Sequence, residues 1–146
     1  MKATIWLRIA AALVFVHGAL HGLAEYFGPP PQPGPQLAAV TAMKLNAFVV
    51  EGATRTLWDF YKGFSYLGAI TLIVEAIVIW QLGSLAKRNV PGLWPIIATF
   101  AFGFLATALT AYKFLIPPPA IMELVIAACL GAAAIAARKN DAAQRN

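Results

Sequence analysis

Two histidines, His17 and His21, are the residues of this chain whose type and spacing most directly suggest chemistry. They are the only histidines in the sequence, and both lie in a long apolar segment. In an α-helix, a spacing of four residues places both imidazoles on one side, and Glu25 extends that stripe by one more turn. Ionisable side chains in lipid-spanning helices are costly and usually face other helices, water or a functional site. The stripe is therefore a candidate site for proton relay, ligand binding or metal binding.

Other charged residues cluster near the ends of the remaining apolar segments. They are Glu51, Arg55, Asp59, Lys62, Lys113 and Glu123. Because charges persist in lipid only when they are paired or hydrated, we expect an ion-pair and hydrogen-bond network. The predicted pairs are Glu51 with Arg55, Asp59 with Lys62 or Arg55, and Lys113 with Glu123. This prediction places Glu51, Arg55 and Asp59 on one stripe at the start of the second spanning helix.

Each of these residues also has an architectural reading. Charges at helix ends can extend to the membrane interface without a chemical role, and this reading is favoured for Glu51, Arg55, Lys62 and Lys113. The deeper candidates are His17, His21, Asp59 and Glu123. For the histidine pair, a hydrogen-bond relay and a ligand or metal site remain equally open. The ligands of a zinc, iron or copper ion would be His17, His21 and either Asp59 or Glu123.

Several chemistries are excluded or weakened by the sequence. The single cysteine, Cys129, excludes an intramolecular disulfide and a cysteine-based zinc site. Two histidines on one face of one helix cannot supply trans ligands to a haem in a monomer. The net charge is +5, but no basic patch with interleaved aromatic residues indicates nucleic acid binding. No glycine-rich phosphate loop or serine-nucleophile elbow is present, and the sequence identifies no cofactor.

The composition places these residues in a membrane. The chain is 60% hydrophobic and 12% charged, with a mean hydropathy of +0.71, whereas a soluble domain carries about 25% charged residues. Four apolar segments reach the ~20 residues needed to cross a bilayer. They are residues 5–26, 57–82, 93–114 and 120–137. We therefore predict an all-α fold, a four-helix transmembrane bundle forming a single domain over residues 1–146. A cleaved signal peptide is the alternative for the first segment, and the two histidines argue against it.

The distribution of Lys and Arg predicts the topology. Seven of the 11 lie at the N-terminus, in the second connection and in the tail, and four lie at the first and third connections. The positive-inside rule then places both termini in the cytoplasm of a multi-pass protein of the inner (plasma) membrane. Trp6, Trp80 and Trp94 would lie at the inner interface. The His21 stripe would lie in the outer half.

The connections carry their own signals. The proline-rich segment 28–35 predicts a stiff outer loop, because proline cannot continue a helix. Residues 37–50 have helical apolar spacing and few breakers, which predicts a short extra helix in that loop. The tail, residues 140–146, is expected to be solvated and frayed. Glu75, in the second span, has no predicted partner.

One segment resembles a known family. The run Arg55-Thr56-Leu57-Trp58-Asp59-Phe60-Tyr61-Lys62-Gly63-Phe64 is similar to an element of small bacterial four-span membrane proteins without an assigned activity. That family also carries a histidine element late in the first helix and an apolar helix ending like Trp80-Gln81-Leu82. The resemblance implies four spans and, by position, highlights His21, Arg55, Trp58, Asp59, Tyr61 and Gly63. The chain departs from the pattern at Leu20 and Ser65, where the family carries glycine.

Three functions are expected from these features. The first is binding of a hydrophobic or amphiphilic small molecule in an outward-facing polar cavity, since sites between bundle helices suit such ligands. The second is an isomerase, cyclase or redox enzyme that uses His21 and Asp59 as acid and base. The third is a non-catalytic accessory subunit. The expected ligand-binding residues are His17, Glu25, Arg55, Trp58, Tyr61, Lys62, Lys113 and Glu123.

Overall fold

The computed structural model describes residues 2–145. Its elements are α1 (Ala3–Phe27), α2 (Pro35–Leu45), β1 (Ala47–Val50), β2 (Ala53–Thr56), α3 (Leu57–Lys87), α4 (Trp94–Phe114) and α5 (Pro117–Arg145). Helices α1, α3, α4 and α5 are long and apolar enough to cross a membrane. The predicted all-α fold with four spanning helices and one short extra helix is confirmed. The chain divides into two compact units, one of Met1–His17 with Leu72–Asn146 and one of Gly18–Thr71.

Segments of all four long helices pack around one apolar core in the first unit. Each contributes at least one side chain that is 0% exposed: Leu7, Ile79, Ile97 and Leu130. Much of the remaining core consists of alanines, including Ala10, Ala11, Ala76, Ala133 and Ala137. Small residues let helix backbones approach closely in lipid, where van der Waals packing drives association. This unit is therefore a four-helix bundle.

A β-hairpin in the second unit corrects part of the predicted short helix. Helix α2 ends at Leu45, and strands β1 and β2 pair antiparallel with Val50 opposite Ala53. The two-residue loop has positive φ at both Glu51 (48°) and Gly52 (81°), as a type I′ hairpin turn requires. The glycine and the β-branched residues around it favour this turn over a helix. Glu51 and Arg55 consequently do not share a helical stripe with Asp59.

Helix α2 lies before this hairpin with no buried residue. Its apolar residues Leu37 and Leu45 are 45% and 76% exposed. The glycine at its N-terminus, Gly34, has φ +97° and leads into Pro35 at the first helical position, where a missing N–H costs nothing. A helix without a buried side suits the membrane interface, as the sequence predicts.

The C-terminal segment is the second correction. Helix α5 continues to Arg145, so residues 140–145 are helical and not frayed. Asp141 is only 9% exposed. Its carboxylate accepts a hydrogen bond from the backbone N–H of Gly92 (2.9 Å), in the connection between α3 and α4. The prediction failed because this acceptor is needed by a loop 49 residues away, which local composition cannot reveal.

Candidate functional site

Four polar side chains join helix α1 to helix α3 in the second unit, and we call them the Glu25–Lys62 cluster: His21, Glu25, Lys62 and Ser65. The ammonium of Lys62 lies 2.6 Å from Glu25 Oε1 and also donates to the Glu25 carbonyl at 2.8 Å. The hydroxyl of Ser65 donates to Glu25 Oε2 at 2.8 Å. Nε2 of His21 lies 3.2 Å from the same hydroxyl and 3.1 Å from the Ser65 carbonyl. The contacts form one continuous chain of groups.

The partners of His21 determine which ring nitrogen carries a proton. The carbonyl of Ser65 can only accept a hydrogen bond, and the Ser65 hydroxyl gives its one proton to Glu25. Nε2 of His21 must therefore carry hydrogen and donate. Among residues 2–145, no hydrogen bond to Nδ1 of His21 is formed. This nitrogen is a hydrogen-bond acceptor left for another molecule.

Residue spacing brings the cluster together. His21 and Glu25 are four residues apart on α1, and Lys62 and Ser65 are three apart on α3, so each pair lies on one helix face. Small residues line the same contact: a Cβ on Gly68 would lie 3.7 Å from His21 Nε2. A Cβ on Gly22 would lie 3.6 Å from that of Ala69. The close helix approach allows short side chains such as Ser65 to reach across.

Aromatic rings surround the lysine of the cluster. The Lys62 ammonium lies 5.0 Å from the ring centroid of Tyr66 and 5.9 Å from that of Trp58. The rings of Trp58 and Tyr61 stack with their centroids 5.2 Å apart, and the ammonium of Lys44 lies 4.8 Å from the Trp58 centroid. Cations over aromatic faces are stabilised by the ring quadrupole. Trp58, Tyr61 and Lys62, all predicted as site residues, are therefore brought together.

A second polar cluster lies in the first unit and contains His17, Thr107 and Glu123. Glu123 is 6% exposed and accepts a hydrogen bond from the Thr107 hydroxyl at 2.8 Å. Its other oxygen lies 3.1 Å from Nδ1 of His17. That contact is close but not aligned as a hydrogen bond, so Nδ1 is buried without a hydrogen-bond partner. Within residues 2–145, the Glu75 carboxyl makes no hydrogen bond and no ion pair.

Asp59 does not join His21, and its predicted pairs with Lys62 and Arg55 are wrong. Asp59 Oδ2 accepts hydrogen bonds from the backbone N–H and the hydroxyl of Thr56, at 2.8 and 2.9 Å. The Thr56 hydroxyl accepts one from the Asp59 N–H at 3.1 Å. This reciprocal arrangement is a capping box at the start of α3. Its signal, Thr-x-x-Asp before an apolar run, is present in the sequence.

The remaining predicted pairs are also absent among the described residues. The guanidinium of Arg55 donates to the neighbouring Thr54 carbonyl at 2.8 Å. Lys113 lies over the Phe114 ring at 5.0 Å instead of pairing with Glu123. Glu51 lies in the hairpin turn. The two ion pairs within residues 2–145 are His17 with Glu123 and Lys62 with Glu25, and each joins two helices. Which residues pair depends on which helix faces meet, and the sequence alone does not show this.

No metal site is assembled within residues 2–145. No group of three His, Cys, Asp or Glu side chains there is placed to hold a metal ion. The ligand set predicted from His17, His21 and Asp59 or Glu123 does not form, because His21 contacts Ser65 and Asp59 caps its own helix. The site residues predicted from the sequence did not include Ser65 or Thr107. The signal for Ser65 was its spacing of three residues from Lys62, which places both on one helix face; Thr107 has no such local signal.

The four long apolar helices identify the chain as a multi-pass membrane protein. Comparisons with models of known protein families, with curated proteins and with solved structures find no match. Function is therefore inferred from the residues of the chain themselves.

Proposed function

We propose that the chain binds the polar head of a small amphiphile at the Glu25–Lys62 cluster. The observation that carries this proposal is the chain of imidazole, hydroxyl, carboxylate and ammonium between two apolar helices. Lys62 is 26% exposed and the Glu25 side chain 11%, so the ammonium is reachable from outside the protein. A head-group hydroxyl could accept from Lys62 and donate to the free nitrogen of His21, and a carbonyl oxygen could accept from Lys62.

Helix association alone is a weaker explanation for such a cluster. Small residues at Gly22, Gly68 and Ala69 already bring the two helices into contact, which suffices for packing in lipid. Charged groups in a span are costly and commonly mark functional positions. Glu25 and Lys62 nevertheless neutralise each other, which favours one second candidate function. In that case the protein is an accessory subunit, and the cluster only holds α1 and α3 together.

The surroundings of the cluster suit an apolar tail. Leu20 and Leu23 of α1 are 57% and 52% exposed, and Phe64 and Leu67 of α3 are 69% and 59% exposed. The cavity near Asn89, Leu93 and Asp141 is too small for such a ligand, because its volume of about 10 Å³ holds roughly one water molecule. The proposed ligand therefore lies along the lipid-facing surface beside Lys62. A quinone or a sterol-like lipid has the required oxygen and apolar body.

The test is mass spectrometry of molecules that co-purify in mild detergent. Wild type should retain an amphiphile, and Lys62→Met should lose it. Lys113→Met is the matched control, because Lys113 also lies over an aromatic ring but contacts no carboxylate among residues 2–145. Ser65→Ala, which leaves both charges in place, covers the case in which Lys62→Met does not fold. Equal retention by wild type, Ser65→Ala and Lys62→Met would refute the proposal.

We further propose that both termini are cytoplasmic and that the protein resides in the plasma membrane. The Lys and Arg asymmetry supports this orientation. In a Cys129→Ala background, Gln32→Cys should react with an impermeant thiol reagent in intact cells, and Lys139→Cys should react only after permeabilisation. The opposite pattern would invert the topology.

A further inference from the structure

Arg8 is a cation inside the first unit without an acidic partner. Its guanidinium lies 3.5 Å from the ring centroid of Trp80, and one terminal nitrogen donates to the Ser84 hydroxyl at 2.9 Å. The other terminal nitrogen is buried without a hydrogen-bond partner. Neither ion pair within residues 2–145 includes Arg8. An orphaned guanidinium nitrogen is uncommon in a native structure. Because this nitrogen is enclosed by the protein, an anion can approach Arg8 only through the part of its side chain that stays exposed.

The packing around Arg8 holds the side chain in place. A Cβ at Gly83 would lie 3.4 Å from Arg8 Nε, so the absence of a side chain there gives the guanidinium room beside α3. The Ser84 hydroxyl is itself oriented by the Trp80 carbonyl at 3.4 Å. Stacking on Trp80 fixes the plane of the guanidinium. The donors of Arg8 are thus preorganised before any anion binds.

Arg8 and Ser84 both lie near helix ends, where spanning helices meet lipid phosphates. Arg8 lies five residues inside α1, roughly 7.5 Å along the helix axis, and Ser84 lies three residues before the end of α3, roughly 4.5 Å. The polar interface of a bilayer occupies about 5–8 Å on each side of the hydrocarbon core. Trp80 is 52% exposed, as an interfacial tryptophan facing lipid would be.

Other positive charges lie at the same end of the bundle. Lys87 ends α3, and Arg138 and Lys139 lie in the last turns of α5. Hydrogen bonds from Gln144 to Asn89 and from Gly92 to Asp141 hold these two helix ends together. Basic pockets between spanning helices attract anionic lipid head groups.

We propose that Arg8, with Ser84 and Trp80, forms a binding site for the phosphate of an anionic phospholipid. The guanidinium supplies charge-assisted hydrogen bonds to the phosphate, Ser84 holds its position, and the exposed side of Trp80 contacts the upper acyl chains. This site is separate in its residues from the Glu25–Lys62 cluster and does not depend on the function proposed for it.

The experiment is native mass spectrometry of delipidated protein titrated with phosphatidylglycerol, phosphatidylcholine or inorganic phosphate. Wild type should bind one phosphatidylglycerol with a Kd about fivefold to tenfold lower than that for phosphatidylcholine. Arg8→Gln should remove this preference. Lys113→Gln is the matched control, because Lys113 also lies over an aromatic ring, that of Phe114 at 5.0 Å, but is not one of the charges at this end of the bundle, and this variant should keep the preference.

Arg8→Lys covers the possibility that Arg8→Gln does not fold, because it keeps the charge but loses the planar fork. It should weaken phosphatidylglycerol binding and leave phosphatidylcholine binding unchanged. Three results would overturn the proposal. They are an unchanged lipid preference in folded Arg8 variants, an equal loss in Lys113→Gln, and displacement of phosphatidylglycerol by stoichiometric inorganic phosphate, which would indicate a site for the free anion.

Discussion

Replacing Glu123 by leucine should destabilise the four-helix bundle through the loss of a partner for His17. The carboxylate of Glu123 lies 3.1 Å from His17 Nδ1 and accepts a hydrogen bond from Thr107 at 2.8 Å. The Thr107 hydroxyl has a second acceptor, the Phe104 carbonyl at 3.0 Å, so its loss costs little. His17 Nδ1 is buried and makes no hydrogen bond, so its contact with the Glu123 carboxylate is electrostatic and has no replacement among residues 2–145. Most of the expected loss therefore comes from the imidazole.

The size of this loss follows from interhelical contacts in other membrane proteins. Such polar contacts contribute about 0.6 kcal/mol on average and about 1.7 kcal/mol at most. Losing one electrostatic contact that is not aligned as a hydrogen bond, together with one replaceable hydrogen bond, should lower the free energy of unfolding by about 1 kcal/mol. The double variant His17→Leu with Glu123→Leu should recover most of this loss, because replacing both members of a buried pair leaves neither unpaired.

Reversible unfolding in mixed micelles measures these free energies. Glu75→Leu is the matched control, because Glu75 also lies in the bundle but makes no hydrogen bond or ion pair within residues 2–145. It should leave stability unchanged or raise it, because it removes a carboxyl without a partner among residues 2–145 from a spanning helix. If Glu123→Leu is as stable as wild type, or if the two leucine substitutions add without coupling, His17 and Glu123 do not stabilise each other.

Three further predictions concern packing and connections. Ile126→Ala should cost about 2–4 kcal/mol in the same unfolding assay, because Ile126 is 0% exposed, whereas Ile135→Ala, at 60% exposed on the same helix, should cost under about 0.5 kcal/mol. Gly52→Ala should destabilise the hairpin by about 1 kcal/mol, since φ is +81° there. Gly63→Ala should be neutral or stabilising, because its helical position has nothing within 4 Å of an added Cβ. Hydrogen exchange of residues 47–56 should become faster in the first variant and stay unchanged in the second. Asp141→Ala should cost about 1–3 kcal/mol by leaving the Gly92 N–H without its acceptor, and a loss below about 0.5 kcal/mol would contradict that role.

The spanning helices were predictable because their signal is local. Long apolar runs broken by proline and glycine predict α1, α3, α4 and α5 wherever the chain folds in lipid, and the start of α3 at Leu57 matches the prediction. The hairpin was missed because residues 47–50 fit both a helical and an extended pattern. The Glu51-Gly52 turn and the β-branched residues around it were the sequence signal for a hairpin, and the positive φ at both turn residues fits it.

The partners within the site were not predictable in the same way. Candidate residues such as Glu25, Lys62 and Glu123 stand out as charges in apolar segments. Their partners do not, because Glu25 and Lys62 are 37 residues apart in the chain. To predict that Lys62 pairs with Glu25 and not with Asp59, one must know which faces of α1 and α3 meet. Asp59 could have been assigned from the sequence, since the Thr56-x-x-Asp59 capping box satisfies its carboxylate locally.

The most direct test of the proposed ligand site is photo-crosslinking with an amphiphile that carries a photoreactive group beside a carbonyl-bearing head. In wild-type protein in native membranes, labelled peptides should come from residues 18–27 and 57–71, the segments that hold His21, Glu25, Lys62 and Ser65. Ser65→Ala should reduce that labelling, and Lys113→Met should not. Labelling spread evenly over all four long helices, or labelling of these segments that is unchanged by Ser65→Ala, would contradict binding at the Glu25–Lys62 cluster.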